Sequence, residues 1–193
     1  MKNLVIFCGS SEGYHETYRE AAYETGAYLA HHDYGIVYGG AQIGNMGAVA
    51  DGALNNGGRV IGVIPGFLKT KEVVHTGITE LIEVETMHER KMKMFELSDG
   101  SLALPGGWGT LEELFEMMTW AQLGLHQKPI GILNINGFYD PLLAQLELMT
   151  NEGFLKEIYR EMILVDHDLP TLIGAMEEYQ APEVKQWITK SKT

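Results

Sequence analysis

The sequence predicts an α/β fold, a doubly wound parallel sheet with helices on both faces, and three observations predict it. Short apolar runs alternate with helical patterns along most of the chain, which is the βαβα order such a sheet requires. Several runs are apolar at nearly every position, as strands covered on both faces must be. The turns that follow them are rich in glycine, as expected where the carboxyl ends of parallel strands meet a ligand. The strand candidates are Leu4–Cys8, Gly35–Gly39, Val60–Ile64, Leu81–Val84, Ser101–Pro105, Ile130–Asn134 and Met162–Asp166. Helical patterns lie between them near residues 14–32, 45–57, 86–98, 110–124, 139–150 and 169–179. No repeat, low-complexity run or linker interrupts this order, so residues 1–193 are expected to form one Rossmann-like domain.

The composition narrows the function. With 45% apolar and 21% charged residues, a chain of 193 residues has material for a sizeable core. Fourteen Lys and Arg stand against 26 Asp and Glu, a net charge of −12. So acidic a surface repels polyanions, which argues against a nucleic-acid polymer or an anionic membrane as partner. A single phosphate group is not excluded, because it needs only a few local cations. Cys8 is the one cysteine, so no disulfide forms within the chain, and a reducing cytoplasm suits it. The run at Leu4–Cys8 is too short for a signal peptide, and no stretch approaches the roughly 20 apolar residues of a membrane span. A soluble cytoplasmic protein is expected.

Three glycine turns mark the carboxyl ends of the strands: Gly9-Ser10-Ser11, then Gly39-Gly40 through Gly44 and Gly47, then Gly106, Gly107 and Gly109. Glycine lets the backbone approach a ligand, and the exposed N–H groups of such turns hold anions, as does a following helix start. The segment Tyr38 to Gly47 misses the GxGxxG spacing of dinucleotide sites and carries no Walker lysine. By itself it reads equally as a tight strand-to-helix turn.

PGGWGTLEE, Pro105 to Glu113, is more specific. Thr110 and Glu113 also have the spacing of a capping box at a helix start. In the helix that follows, Leu111, Leu114, Phe115, Met118 and Ala121 form the expected core stripe. Glu113 projects away from it, beside Met117 and Trp120, a second apolar flank that suggests a covered site or a subunit interface. Burial there would raise its pKa and suit it to proton chemistry. Glu112 and Glu116 lie nearer the polar side and are expected to be solvated.

In TMHERKMKM, Thr86 to Met94, three of the 14 basic residues fall within four positions: Arg90, Lys91 and Lys93. Met87, Arg90, Lys91, Met94 and Leu97 share one helical face, so two cations interrupt an apolar stripe and would have to meet an anion if buried. Alternatively His88, Met92 and Phe95 form the core face, and both cations are solvated. Position 92 is Met, so no HExxH zinc motif is present, and the other histidines form no metal-ligand set. His31 and His32 read as a helix end.

MHERK, then PGGWGTLEE, then TWAQLGLHQKPIGILNINGFYDPLL closely resemble the Lonely Guy family of cytokinin-activating phosphoribohydrolases. The resemblance runs from FCGSS through the GG-x-x-x-G-x-x-G turn to Glu152–Phe154, about 150 residues in matching order, and rests on R-K together with PGGxGTxxE. The family hydrolyses the N-glycosidic bond of cytokinin riboside 5′-monophosphates, and many bacterial members accept AMP. Members are often labelled lysine decarboxylases, but no Lys here sits in a recognisable pyridoxal-phosphate setting, and no cofactor or metal is implied. The resemblance implies Arg90 and Glu113 as the catalytic pair. It implies that Met87, Lys91, Gly106, Gly107, Trp108, Gly109, Thr110, Leu111, Glu112 and Thr119 contact the nucleotide, and that Glu72 reaches the same pocket. Gly9, Ser10, Gly40 and Gly44 would line its floor. Ala41 stands where many relatives have a third glycine and would tighten the pocket slightly. A homodimer with the site near the interface is implied. A general AMP nucleosidase without hormonal role, or a nucleotide carrier that shares the fold without catalysis, is the alternative; loss of the Arg or the Glu would mark the carrier, and both are present.

Overall fold

The computed structural model describes residues 2–69 and 74–184. All seven apolar runs become strands: β1 (Asn3–Phe7), β2 (Gly35–Tyr38), β3 (Val60–Pro65), β4 (Glu80–Val84), β5 (Gly100–Ala103), β6 (Ile130–Leu133) and β7 (Ile163–Asp166). They pair in parallel in the order β4-β3-β2-β1-β5-β6-β7. The uniformly apolar β1, β2, β3, β5 and β6 lie inside this sheet, whereas Glu80 and Glu83 place β4 at an edge with partial exposure. The helices are α1 (Glu16–His31), α2 (Gly44–Asn55), α3 (Met87–Leu97), α4 (Trp108–Gln122), α5 (Asp140–Asn151), α6 (Glu157–Arg160) and α7 (Leu169–Glu178). Among the described residues, no helix is long and apolar enough to cross a membrane.

Alternation along the strands feeds two cores. Leu4, Ile6, Ile36 and Tyr38 face α1, α2 and α7, while Val5, Phe7, Val37 and Ala103 face α3, α4 and α5. On the first face α1 and α2 touch backbone to backbone. A Cβ on Gly26 would overlap the Val49 carbonyl, and one on Gly52 the Tyr23 carbonyl, so only glycine allows this approach.

Two short elements escape the sequence pattern. α6 is a single turn, and Ile135–Gly137 forms one 3-10 turn built from an asparagine pair. The Asn134 side chain accepts a hydrogen bond from the Tyr139 N–H at 2.8 Å and donates to Asp140 at 2.7 Å, and Asn136 takes a positive φ of 52°. Tyr139 precedes α5 rather than beginning it, and its buried hydroxyl donates to the Leu104 carbonyl at 2.7 Å. That bond ties the start of α5 to the segment from which PGGWG emerges.

Candidate active site

The strand order fixes where to look. From β1 the chain winds outward through β2 and β3 to β4, then returns to place β5 on the other side of β1. The crevice beyond the carboxyl ends of β1 and β5 is therefore the switch point, where open α/β sheets bind ligands. The Gly9 N–H donates to the Pro105 carbonyl at 3.1 Å and joins the two turns that meet there. Between them lies a cavity of about 250 Å³ lined by Gly9, Ser10, Ser11, Asn45, Gly106 and Gly107, with Tyr18 and Phe138 as aromatic walls. Gly107 caps α4 without a side-chain hydrogen bond, which leaves the first amide groups of a 15-residue helix open to an anion.

α4 begins at Trp108, two residues before the expected start. Thr110 is thus inside the first turn, 3% exposed with its hydroxyl against Gly106, and forms no capping box with Glu113. The core stripe keeps Leu111, Leu114, Met118 and Ala121 of the expected set but is turned slightly. Thr110, Leu114, Met117 and Ala121 are the buried positions, while Phe115 is 39% exposed. Met117 belongs to the core and is not an interface flank; Trp120 beside it packs edge-on against Phe95 at 5.3 Å. Met117 and Trp120 do help cover Glu113, in a closed hollow shared with Phe7, Lys91 and Met94.

On α3 the buried residues are Arg90 and Met94, so the stripe that carries the cations is the core face, and Met92 is exposed. Thr86 accepts a hydrogen bond from the Glu89 N–H at 3.1 Å and fixes the start of this helix. Arg90 is 7% exposed, its Nε has no partner, and no carboxylate among the described residues pairs with it. Its guanidinium lies against Gly39, where any side chain would overlap it. A buried cation so placed is a ready anion site. Across from it, burial pushes the Glu113 carboxyl up to about 7; Arg90 and Lys91 pull it back, and Glu112 and Glu116 push it further. Cys8 lies near enough for Glu113 to add to the effect of burial in raising its thiol, which stays neutral.

The expected site residues divide into groups. Gly9, Ser10, Gly106 and Gly107 line the cavity, and Trp108 and Gly109, next in the chain, are exposed. Gly44 lines a neighbouring hollow of about 370 Å³ that shares Ser10 and Ser11. Gly40 turns away toward β3 and β4, with its carbonyl accepting the His75 N–H at 3.0 Å. Ala41 is wholly buried in the core and lines neither of these two cavities. Met87 is 38% exposed, with its sulfur 4.0 Å from Arg90 Nη1, and Leu111 packs partly buried against the core. The Thr119 hydroxyl donates to the Phe115 carbonyl of its own helix at 2.7 Å. Lys91 holds Glu112 at 2.6 Å and Glu116 at 3.0 Å, so neither carboxylate is simply solvated. Glu72 lies outside the described residues.

Asn45 is the residue that sequence reasoning passed over. It lines the cavity at 3% exposure, its Nδ2 is 3.4 Å from the Pro105 carbonyl, and its Oδ1 has no partner. The signal that could have found it was a lone amide in the apolar start of α2, GNMGAVA, just after a glycine turn.

Comparison with known proteins agrees with this geometry. The family model described as "Possible lysine decarboxylase" matches residues 46–176. A rice (Oryza sativa subsp. japonica) protein named "Probable cytokinin riboside 5'-monophosphate phosphoribohydrolase" is 47% identical over 178 residues, 92% of this chain and 78% of its own. An Arabidopsis thaliana cytokinin riboside 5′-monophosphate phosphoribohydrolase is 40% identical over 189 residues, 98% of this chain and 88% of its own. Among solved structures, the molybdenum cofactor binding protein of Rippkaea orientalis superposes with a TM-score of 0.69 at 22% identity, covering 92% of this chain and 97% of that one. The Moco carrier protein of Chlamydomonas reinhardtii gives 0.68 at 20%, covering 92% and 96%; at such identity both speak to the fold alone. The level of identity over nearly the whole chain, with the family match over residues 46–176, places this protein in the family of cytokinin riboside 5′-monophosphate phosphoribohydrolases.

Proposed function

We propose that the protein hydrolyses the N-glycosidic bond of cytokinin riboside 5′-monophosphates, and of AMP, to the free base and ribose 5-phosphate. The observation that carries the reading is the covered carboxyl of Glu113, under the charge of the buried Arg90 guanidinium, in a sheet whose switch point holds a glycine-lined cavity. In this reading the 5′-phosphate occupies that cavity, held by the Gly106–Gly107 turn and the open amide groups of α4. The ribose then extends toward Glu113.

Cleavage of the bond between C1′ and the base nitrogen builds positive charge on the ribose, in an oxocarbenium-like transition state. The Glu113 carboxylate stabilises that charge and takes a proton from the attacking water, whose oxygen forms the new bond to C1′. The departing base carries off the bonding electron pair and a proton. A carboxyl poised near neutrality serves both as carboxylate and as proton carrier. Arg90 supplies positive charge to the phosphate or to the leaving base, and its planar fork suits either better than a lysine would. Among the described residues, no lysine lines this cavity.

The same reading includes one nucleotide-binding domain and a cytoplasmic homodimer. Trp108 at 89% exposure and Phe115 at 39% give α4 apolar surface for a second copy to cover. A monomer by light scattering at micromolar concentration would remove the dimer.

The test of the activity is chromatographic release of free base from AMP and from isopentenyladenosine 5′-monophosphate, with the unphosphorylated nucleosides as controls. Release from the monophosphates alone is expected, and the ratio of kcat/KM separates cytokinin activation from general AMP breakdown. Binding of nucleotide with no release from any substrate would overturn the assignment.

A further inference from the structure

Lys91 follows Arg90 in sequence, yet the two cations have different surroundings. Arg90 has no carboxylate partner among the described residues, whereas Lys91 Nζ bonds Glu112 Oε1 at 2.6 Å and Glu116 Oε1 at 3.0 Å. Its side chain is 13% exposed, far more covered than an ordinary surface ion pair. Glu112 is the neighbour of Glu113 on α4, and Glu116 is one turn further along the same helix, so all three carboxyls crowd one stretch. The hollow that Lys91 shares with Glu113, Glu116 and Trp120 holds only about 10 Å³ of free space. That is room for one water at most and none for a phosphate.

We infer that Lys91 is a positioning residue for Glu113: bound to Glu112 and Glu116, it offsets the charge of the carboxylates on either side and so lets Glu113 ionise. This rests on the hydrolase reading above and deepens it by giving Lys91 a task other than holding the nucleotide. The balance can be counted from the groups that face Glu113. From α3 come Arg90 and Lys91, from α4 Glu112 and Glu116, and from the end of β1 the neutral Cys8 thiol. With Lys91 present, two cations offset the two neighbouring carboxylates; without it, one cation faces both. In a covered site that imbalance is felt strongly, because few waters screen it. Lys91 itself stays charged: burial works against its proton, but the hydrogen bonds and charges of the two carboxylates more than compensate.

The experiment compares wild type, Lys91→Met and the triple variant Lys91→Met/Glu112→Gln/Glu116→Gln. Base release from AMP gives kcat and KM across the neutral range. For Lys91→Met the acid limb of kcat/KM moves up by about one pH unit, so the rate falls about tenfold below the limb and recovers in alkali, with KM unchanged. The triple variant returns the limb to its wild-type position or below it, because Arg90 then faces neither carboxylate. A second readout is carbon-13 NMR titration of the labelled Glu113 carboxyl in substrate-free protein, assigned by its loss in Glu113→Gln; its midpoint moves up in Lys91→Met and back, or lower, in the triple variant. A higher KM for AMP at every pH with the limb unmoved would make Lys91 a phosphate ligand and overturn the inference. So would a Glu113 midpoint that ignores Lys91, or a triple variant that fails to restore it. The NMR titration needs no turnover, so a wild type that releases no base from any nucleotide refutes the hydrolase reading, while the coupling of Lys91 to Glu113 stands or falls on the midpoints alone.

Discussion

The two faces of the sheet follow opposite rules. On one, α1 and α2 meet through Gly26 and Gly52 with their backbones in contact, and the core between them and the strands is apolar. On the other, α3 and α4 bring Arg90, Lys91, Glu113 and Glu116 into or against the core. The first arrangement gains stability from contact and burial. The second sacrifices some, because each desolvated charge opposes folding unless an opposite charge answers it. Charge held under cover between α3 and α4 is the mark of a surface shaped by chemistry rather than by packing.

That contrast can be broken at either face. The largest effect is expected from Glu113→Gln, which keeps shape and removes the charge that answers the oxocarbenium-like transition state. Turnover should fall by on the order of 10²–10³, with nucleotide binding by calorimetry retained; unchanged turnover would remove Glu113 from the mechanism. The opposite face should respond in stability alone. Gly26→Val forces a side chain against the Val49 carbonyl and parts the two helices, at about 2 kcal/mol. In a chain of this size that lowers Tm by about 4–8 °C, read by differential scanning calorimetry, with kcat of the folded fraction unchanged. A variant that lost kcat but kept its Tm would show the α1–α2 face to be part of the site.

The difference between the faces also sets what could be read from sequence. Each strand was legible because a buried parallel strand is a continuous apolar run, and β4, with Glu80 and Glu83, was the weakest run and is an edge. Arg90 and Glu113 were legible as candidates through their motifs. Their burial was not, because helical phase decides it, and phase was uncertain on α4. The helix starts at Trp108 rather than Thr110, and its stripe takes Met117 into the core and leaves Phe115 out of it. Gly107 provides no side-chain signal for a helix start, whereas Thr110 provided a misleading one. The partition of cations was equally hidden: Arg90 and Lys91 are adjacent in sequence, and only the docking of α3 on α4 decides which of them meets the carboxylates of the neighbouring helix. Asn45 escaped because a single polar residue carries no period.

The subtlest expectation concerns the stability that the site sacrifices. Burial raises the Glu113 carboxyl from its ordinary value near 4.5 to about 7 in the folded protein. Below the unfolded value both states bind the proton, and Glu113 adds no pH dependence. Between the two values the unfolded chain releases its proton while the folded chain keeps it, so stability is lost as pH rises, and the loss is complete above about 7. Glutamine has no proton to release. Glu113→Gln should therefore match wild type in urea unfolding at acid pH and exceed it above neutrality, by about 2 kcal/mol once solvent screening is allowed for. The same substitution that lowers turnover would then strengthen the fold, as expected where a desolvated charge serves the reaction and not the structure. A difference between the two proteins that stayed constant across pH would mean that Glu113 is ionised as readily in the folded chain as in the unfolded one, and the contrast between the two faces would rest on Arg90 alone.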